Sequence, residues 1–334
     1  MKNSRLREFF QLILLAALAA FPFITTARQL TKYVNPFIGT GAHGHTYAGA
    51  TVPFWMLQFS PDNGTQGWDW CSGYHYTDSM IAGFNLGFAI NFDSAVETFI
   101  EKLNNSTIAV EHKAMYTEGN AWQHSFFVPH DVKGLATAHG SNDLFIKKLD
   151  SLFNVSSRLS GGNTSPDESG LIGQYAHGNE PSHHIAYMYT YVGQAWKTQE
   201  RVRTIIDSMY HARPDGYACN EDGGQMSAWG VWSMAGLYPG NSSGGQYVFE
   251  STQFDEVKFK MAGNKTFVIR AKNAGKGRPY IQSIQLNNHP NNKTYIQHAA
   301  MINGGVLEFI MGDKPNKIFG QLPAAWPEFA SSEQ

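Results

Sequence analysis

The spacing of apolar residues changes character along the chain. From residue 33 to 90 the apolar runs are short and cut by Gly and Pro every few positions, as in YVNPFIGTGAHGHTYAGATVPFWMLQFSP. Such interruption predicts short strands and loops, a β-sandwich or part of one. From about 116 to 238 the pattern turns helical. NDLFIKKLDSLF places Leu144, Phe145, Lys148, Leu149, Leu152 and Phe153 on one broad face, and VRTIIDSMY repeats apolar residues at Val202, Ile205, Ile206, Met209 and Tyr210. Pro181 suits the first position of a helix running through Tyr191, where its missing N–H costs nothing. GGQMSAWGVWSMAGLYP, residues 223–239, opens on glycines and stops at Gly-Leu-Tyr-Pro, which predicts a buried helix. From 246 to 319 strands return: KTFVIRA, YIQSIQL and GVLEFIMG lie between Asn- and Gly-rich turns and predict a small second sandwich.

Composition narrows the partners. Of 334 residues 16% are charged and 13% aromatic, and 25 Lys and Arg face 27 Asp and Glu. No basic surplus exists to neutralise phosphates, which argues against nucleic acid. The aromatics suit large cores, or sugar rings whose C–H faces stack on them. At the N-terminus Lys2, Arg5 and Arg7 precede FFQLILLAALAAFPFI, the layout of a secretory signal peptide over residues 1–28. The apolar stretch is short for a membrane anchor, and no later segment is apolar enough to span a bilayer. The expectation is an exported protein, periplasmic or extracellular, with no stable membrane span after cleavage. Export would permit Cys71 and Cys219 to pair, and two buried thiols are the equal alternative.

Several stretches concentrate groups able to do chemistry. GTGAHGHTYAGATVPF sets His43 and His45 among glycines, either a backbone that can approach a ligand closely or a tight turn. QGWDWCSGYHYTD, residues 66–78, holds Trp68 and Asp69 beside Trp70, Tyr74, His75 and Tyr76. An aromatic that stacks on a sugar and a carboxylate that takes two hydroxyls make a sugar grip; bulky sandwich core is the plainer reading. YTEGNAWQHSFFVPHD, residues 116–131, carries Glu118 among aromatics, where a carboxyl can keep its proton as a general acid must. Otherwise it is a surface residue at a helix start. ACNEDGGQMSAW, residues 218–229, sets Glu221 and Asp222 on a glycine turn before the buried helix, which serves either capping or a general base. Two well-separated carboxylates, Glu118 and Asp222, are what glycoside hydrolysis requires. GNEPSHHIAYMY, residues 178–189, joins acid, amide and two imidazoles before an apolar run, and reads as a ligand grip or as the opening of a buried helix.

The motifs VNPFIGTGAHGHTYAGATVPFWMLQFSPD, GWDWCSGYHYTDSMIAGF, YTEGNAWQHSFFVPHDVKGL, GLIGQYAHGNEPSHHIAYMYTYVGQAWKTQERVR and CNEDGGQMSAWGVWSMAGLYP together resemble the family-92 glycoside hydrolases, over about 33–88 and 116–319. That resemblance implies an exported, calcium-dependent exo-α-mannosidase that inverts the anomeric centre of α-1,2-linked mannose in glycans. It implies Glu118 as general acid and Asp222 as the base that activates water. It also implies Asn179 and Glu180 as Ca2+ ligands, and Trp68, Asp69, His177, His183 and Glu221 as substrate contacts. The family often has an acid where this chain has Asn220.

The resemblance implies an α+β multidomain fold: an N-terminal β-sandwich fragment, an incomplete (α/α)6-type helical barrel and a small C-terminal β-sandwich. The expected boundaries are 29–90 for the first, 91–115 for a junction, 116–240 for the barrel, 241–320 for the C-terminal β-domain and 321–334 for a tail. Four or five helices are countable instead of the dozen of a closed toroid, and an open half-toroid would expose apolar faces. A non-catalytic carbohydrate-binding remnant, or the product of an internally deleted gene, is the alternative reading.

Overall fold

The computed structural model describes residues 30–46, 50–51, 58–62, 74–79, 83–85, 119–159, 168–241, 245–275 and 277–328. The chain divides into one unit ending at Pro36 and a second from Phe37 to Gln334. The described part of the first contains a 3-10 turn, Leu30–Tyr33. The expected signal peptide, 1–28, and the whole junction 91–115 lie outside the described residues.

In the second unit, β1 (Ala50–Thr51), β2 (Gln58–Asp62) and β3 (Gly83–Asn85) form an antiparallel sheet in that order. This bears out short strands between 33 and 90. Helices follow: α1 (Ala121–His124), α2 (Val132–Ala138) and α3 (Asn142–Asn154). Each starts on a capping side chain: Asn120, Asp131 and Ser141 accept from the amides of Trp122, Gly134 and Leu144. In α3, Phe145, Leu149, Leu152 and Phe153 are buried as the pattern predicts, whereas Leu144 is 52% exposed. Four residues fill the core-facing stripe, and Leu144 falls at its edge.

A short hairpin, β4 (Leu171–Ile172) and β5 (Tyr175–Ala176), leads into the GNEPSHH stretch. The α-helix expected from Pro181 to Tyr191 is instead a 3-10 turn at Glu180–Ser182 and a 3-10 helix at Ile185–Val192. All eight residues of the second are buried. A 3-10 run of that length is uncommon, and tertiary anchors hold this one. Tyr187 bonds the Ser233 hydroxyl at 2.6 Å, and Tyr189 donates to Asp150 at 2.9 Å. Asp150 also pairs with Lys197 of the next helix, α4 (Ala195–Met209), tying α3 to α4. α5 (Gln225–Ala235) begins after Gly224 and ends on the left-handed Gly236, φ 92°.

The C-terminal part is two sheets. β6 (Leu237–Asn241), β7 (Gln246–Phe249) and β12 (Tyr295–Gln297) form one, ordered β12-β7-β6. The other contains β8 (Glu256–Lys260), β9 (Thr266–Lys272), β10 (Tyr280–Leu286), β11 (His289–Pro290) and β13 (Gly305–Gly312), ordered β11-β10-β13-β9-β8. β9 and β13 pair in parallel; the other pairs are antiparallel. A short helix, α6 (His298–Ile302), follows β12. One core, from Phe126 to Val248, fills the helical part, and a second, built on Phe249, Phe267, Ile269, Ile284, Leu307 and Phe309, fills the β-part.

Candidate active site

Three motifs far apart in sequence meet around residues 174–184. The first is EGNAW. Glu118 itself lies outside the described residues, but Gly119 and Asn120 follow it directly. Asn120 starts α1 with a capping box: its Oδ1 accepts from the Trp122 amide at 2.8 Å, and Gln123 Oε1 accepts from its own amide at 2.7 Å. The same side chains reach the β4–β5 hairpin. Asn120 Nδ2 donates to Gln174 Oε1 at 3.1 Å, and Gln123 Nε2 donates to the Gln174 carbonyl at 2.7 Å. α1 thereby packs on β5 and on the Glu180–Ser182 turn.

The second is GNEPSHH. Asn179, buried, caps its own 3-10 turn by accepting the Glu180 amide at 3.1 Å, and Glu180 is partly exposed beside it. The histidines point inward. His177 has no exposed surface and lies between two phenols, with Tyr175 Oη 2.9 Å from Nδ1 and Tyr210 Oη 2.8 Å from Nε2. His183 Nε2 donates to the His177 carbonyl at 2.9 Å, its Nδ1 faces Gln225 Nε2 at 3.2 Å, and His184 Nε2 donates to the Phe126 carbonyl at 2.9 Å. Burial disfavours the charged imidazole. It holds His177 well below its ordinary range and lowers His183 and His184 to about 4 each. All three are neutral at physiological pH. Both ring nitrogens of His177 and of His183 are bonded inside the protein, and the two rings support this region from beneath.

The third is NEDGGQ, where the two acids differ. Glu221 turns back on α5: its carboxylate accepts from the Gly224 amide at 2.5 Å and the Ser227 amide at 3.0 Å. Those are orphan donors of a helix start, so this carboxylate caps the helix. Asp222 is exposed, in the left-handed region at φ 50°, and among the described residues its carboxylate makes no hydrogen bond. Gly223 and Gly224 continue left-handed at 65° and 99°, lifting Asp222 to the tip of the loop.

The GTGAHG segment braces that loop. Gly39 and Gly41 amides donate to the carbonyls of Arg213 and Pro214 at 3.3 and 2.8 Å, and the Glu221 amide donates to the Gly44 carbonyl at 3.0 Å. A Cβ on Gly39 would fall 2.6 Å from the Tyr217 ring, and one on Gly44 would run into the Gly39 carbonyl. These glycines therefore permit loop-on-loop packing. His75, buried, lies with Nε2 3.3 Å from the Ala42 carbonyl. Trp68, Asp69 and Cys71 lie outside the described residues, and Cys219 is buried.

The residues that sequence reasoning missed are Tyr175, Tyr210 and Gln225. Tyr210 reads as the last apolar position of the VRTIIDSMY pattern, just past α4, yet its hydroxyl donates to the Met226 carbonyl at 3.1 Å. The signal was Gly230, a glycine inside a helix, where a Cβ would fall 2.7 Å from the Tyr210 ring.

Oxygen donors at Asn179 and Glu180 match a hard cation such as calcium. Among the described residues no group of three His, Cys, Asp or Glu converges to hold a metal. Asn179 and Glu180 would supply two of the roughly six to eight oxygens calcium takes. Among the described residues, no helix is long and apolar enough to cross a membrane.

The profile of the Glycosyl hydrolase family 92 N-terminal domain matches residues 33–87, and that of the family 92 catalytic domain matches residues 86–313. Among solved structures, a family GH92 α-mannosidase from Bacteroides thetaiotaomicron in complex with mannoimidazole is 36% identical, with a TM-score of 0.61 over 64% of this chain and 28% of that one. A family GH92 inverting mannosidase from the same organism is 34% identical, with a TM-score of 0.56 over 64% of this chain and 30% of that one. An uncharacterized secreted glycosidase from Arthroderma benhamiae is 30% identical over 198 residues, 58% of this chain and 23% of that protein. The chain thus spans between about a quarter and a third of the length of the relatives it matches.

Proposed function

The chain belongs to glycosyl hydrolase family 92, and from that premise we propose that it acts as an exported exo-α-mannosidase that removes α-1,2-linked mannose from glycans with inversion. One observation carries the reading: of the two acids in NEDGGQ, Glu221 is consumed by the helix start while Asp222 stands exposed, its carboxylate unbonded among the described residues. A general base needs that freedom, since it must take up a proton during the reaction.

In the proposed mechanism Asp222 removes a proton from water as the water oxygen attacks C1 of mannose from the face opposite the leaving group. Glu118 gives its proton to the glycosidic oxygen as the C1–O bond breaks. The product has the opposite anomeric configuration, and the two carboxyls should stand about 6.5–9.5 Å apart to admit the water. Capping bonds to Gln174 fix the α1 start that follows Glu118, and the bonds of Glu221 fix the loop that carries Asp222. Trp68 and Asp69 would supply stacking and hydroxyl contacts. Calcium enters the proposal as an ion held by Asn179 and Glu180, with other oxygens completing its shell; when bound it supplies charge that orients vicinal sugar hydroxyls. Export rests on the basic-then-apolar N-terminus, and the fungal relative is itself described as secreted.

The test is release of mannose from α-1,2-mannobiose by the whole chain, with and without a calcium chelator. Release that the chelator suppresses is the expected result. A chain that melts cooperatively yet releases no mannose overturns the hydrolase reading, and calorimetry with mannose then decides whether binding survives without turnover.

A further inference from the structure

Three consecutive left-handed residues, Asp222, Gly223 and Gly224, make a soft platform for a catalytic carboxylate. Its stiffness must come from what grips the first turn of α5. Two grips reach that turn from beneath, and both pass through the buried histidines. The Met226 carbonyl and thioether sulfur, 3.1 and 3.0 Å from Tyr210 Oη, can only accept, so with its hydroxyl donating toward Met226 Tyr210 has no second proton for His177. His177 Nε2 must therefore carry a hydrogen and donate to Tyr210 Oη. On its other side His177 Nδ1 lies 2.9 Å from the Tyr175 hydroxyl. The contacts run unbroken from Tyr175 through His177 and Tyr210 to Met226. The second grip is parallel. His183 donates from Nε2 to the His177 carbonyl, which leaves Nδ1 to accept from Gln225 Nε2. Trp229 adds a bond from Nε1 to the His183 carbonyl at 3.0 Å and stacks on Tyr210 at 5.6 Å.

We propose that Tyr210 is a positioning residue for the hydrolytic step: its hydroxyl, oriented by His177, sets the α5 first turn and so the placement of Asp222. The inference rests on the reading of Asp222 as base. Tyr210 touches neither water nor sugar. It acts by joining the segment that holds Asn179 and Glu180 to the loop that holds Asp222, so both halves of the site keep one spacing. Removing the hydroxyl leaves the buried Nε2–H of His177 unpaired and takes from the Met226 carbonyl its partner outside the helix.

The experiment compares the full chain with Tyr210→Phe and Gly230→Ala. The first deletes the hydroxyl and keeps the ring; the second keeps the hydroxyl and pushes the ring with a Cβ that would fall 2.7 Å from it. Amide hydrogen exchange is read at Gly224, Met226 and Ser227, and kcat and KM at saturating α-1,2-mannobiose. Misplacement of about 1 Å can cost on the order of a hundredfold in rate. The expected result is kcat lower by roughly ten- to a hundredfold with KM within about twofold, and faster exchange confined to those amides. Unchanged kcat per folded molecule with only a lower Tm overturns the proposal, as does unchanged exchange at the three amides. If the unsubstituted chain releases no mannose, the assignment of Asp222 fails, and the exchange arm alone decides whether Tyr210 stiffens the loop. Should Tyr210→Phe fail to fold, Gly230→Ala carries both readouts.

Discussion

The helical part and the C-terminal β-part both bury a large apolar core, and they do so by opposite means. Around the candidate site the interior is crowded with polar aromatics: Tyr175, Tyr187, Tyr189 and Trp229 are all fully or nearly fully buried, with His177 and His183 among them. Each has a named hydrogen-bond partner. The β-part core among the described residues is Phe, Leu, Ile, Met and Ala, with buried polar side chains such as Thr294 and Tyr295 at its margin. A satisfied polar network admits few arrangements, since any shift strands a buried group, whereas an aliphatic core tolerates small repacking. The helical part is thus built for definite spacing and the β-part for bulk stability.

The sharpest separation comes from Asp222→Asn. Asn tolerates the left-handed backbone that Asp222 adopts at φ 50°, so Tm should hold while mannose release falls by roughly 10²–10⁴-fold. A matched loss of stability would instead make Asp222 a structural residue. On the β side, Phe309→Ala should cost about 3–5 kcal/mol in a denaturant titration, because Phe309 is fully buried against Phe249. Activity per folded molecule should not change.

The boundary between the two parts offers a smaller test. Glu250 follows β7 and is fully buried, and among the described residues neither carboxylate oxygen makes a well-formed hydrogen bond. Burial raises its proton affinity well above the ordinary 4.5, and the Ser251 backbone and the Arg203 charge offset this only in part. Tyr187 faces it and is itself held protonated by burial. The folded state therefore keeps this proton longer than the unfolded state does. Its contribution is fully present below the ordinary carboxylate value and is lost as pH rises through the folded one. Glu250→Gln should flatten that decline, giving a higher Tm than the parent at pH 8 and little difference at pH 4. Equal pH slopes would show the carboxyl to be solvated. The smallest effect belongs to Lys272→Ala, which breaks the pair with Glu308 on the exposed face of β9 and β13. A change of about 0–1 kcal/mol is expected by chemical denaturation.

Much of the β-part was legible because strand patterning is local. YIQSIQL and GVLEFIMG coincide with β10 and β13, and KTFVIRA is offset from β9 by one residue. The face of α3 was legible for the same reason. The site was legible only as a set of acids and imidazoles. No spacing distinguishes Glu221 from Asp222, since both suit a helix start; that the first caps and the second stands free depends on three left-handed residues in a row. The GNEPSHH run misleads in type, because hydropathy does not separate a buried α-helix from a buried 3-10 helix pinned by Tyr187 and Tyr189.

The amino-acid sequence by itself determined the family, the alternation of strand and helix, and which carboxylates and imidazoles are at hand, since these are encoded in local pattern and in motifs. Only the tertiary structure decided which of those groups are consumed in holding the fold. A histidine becomes neutral because folding buries it, and a glutamate becomes a cap because three left-handed residues turn the loop back onto its carboxylate. Tyr210, an apolar position by pattern, becomes a hydrogen-bond relay because folding brings His177 to one side of its hydroxyl and the Met226 carbonyl to the other.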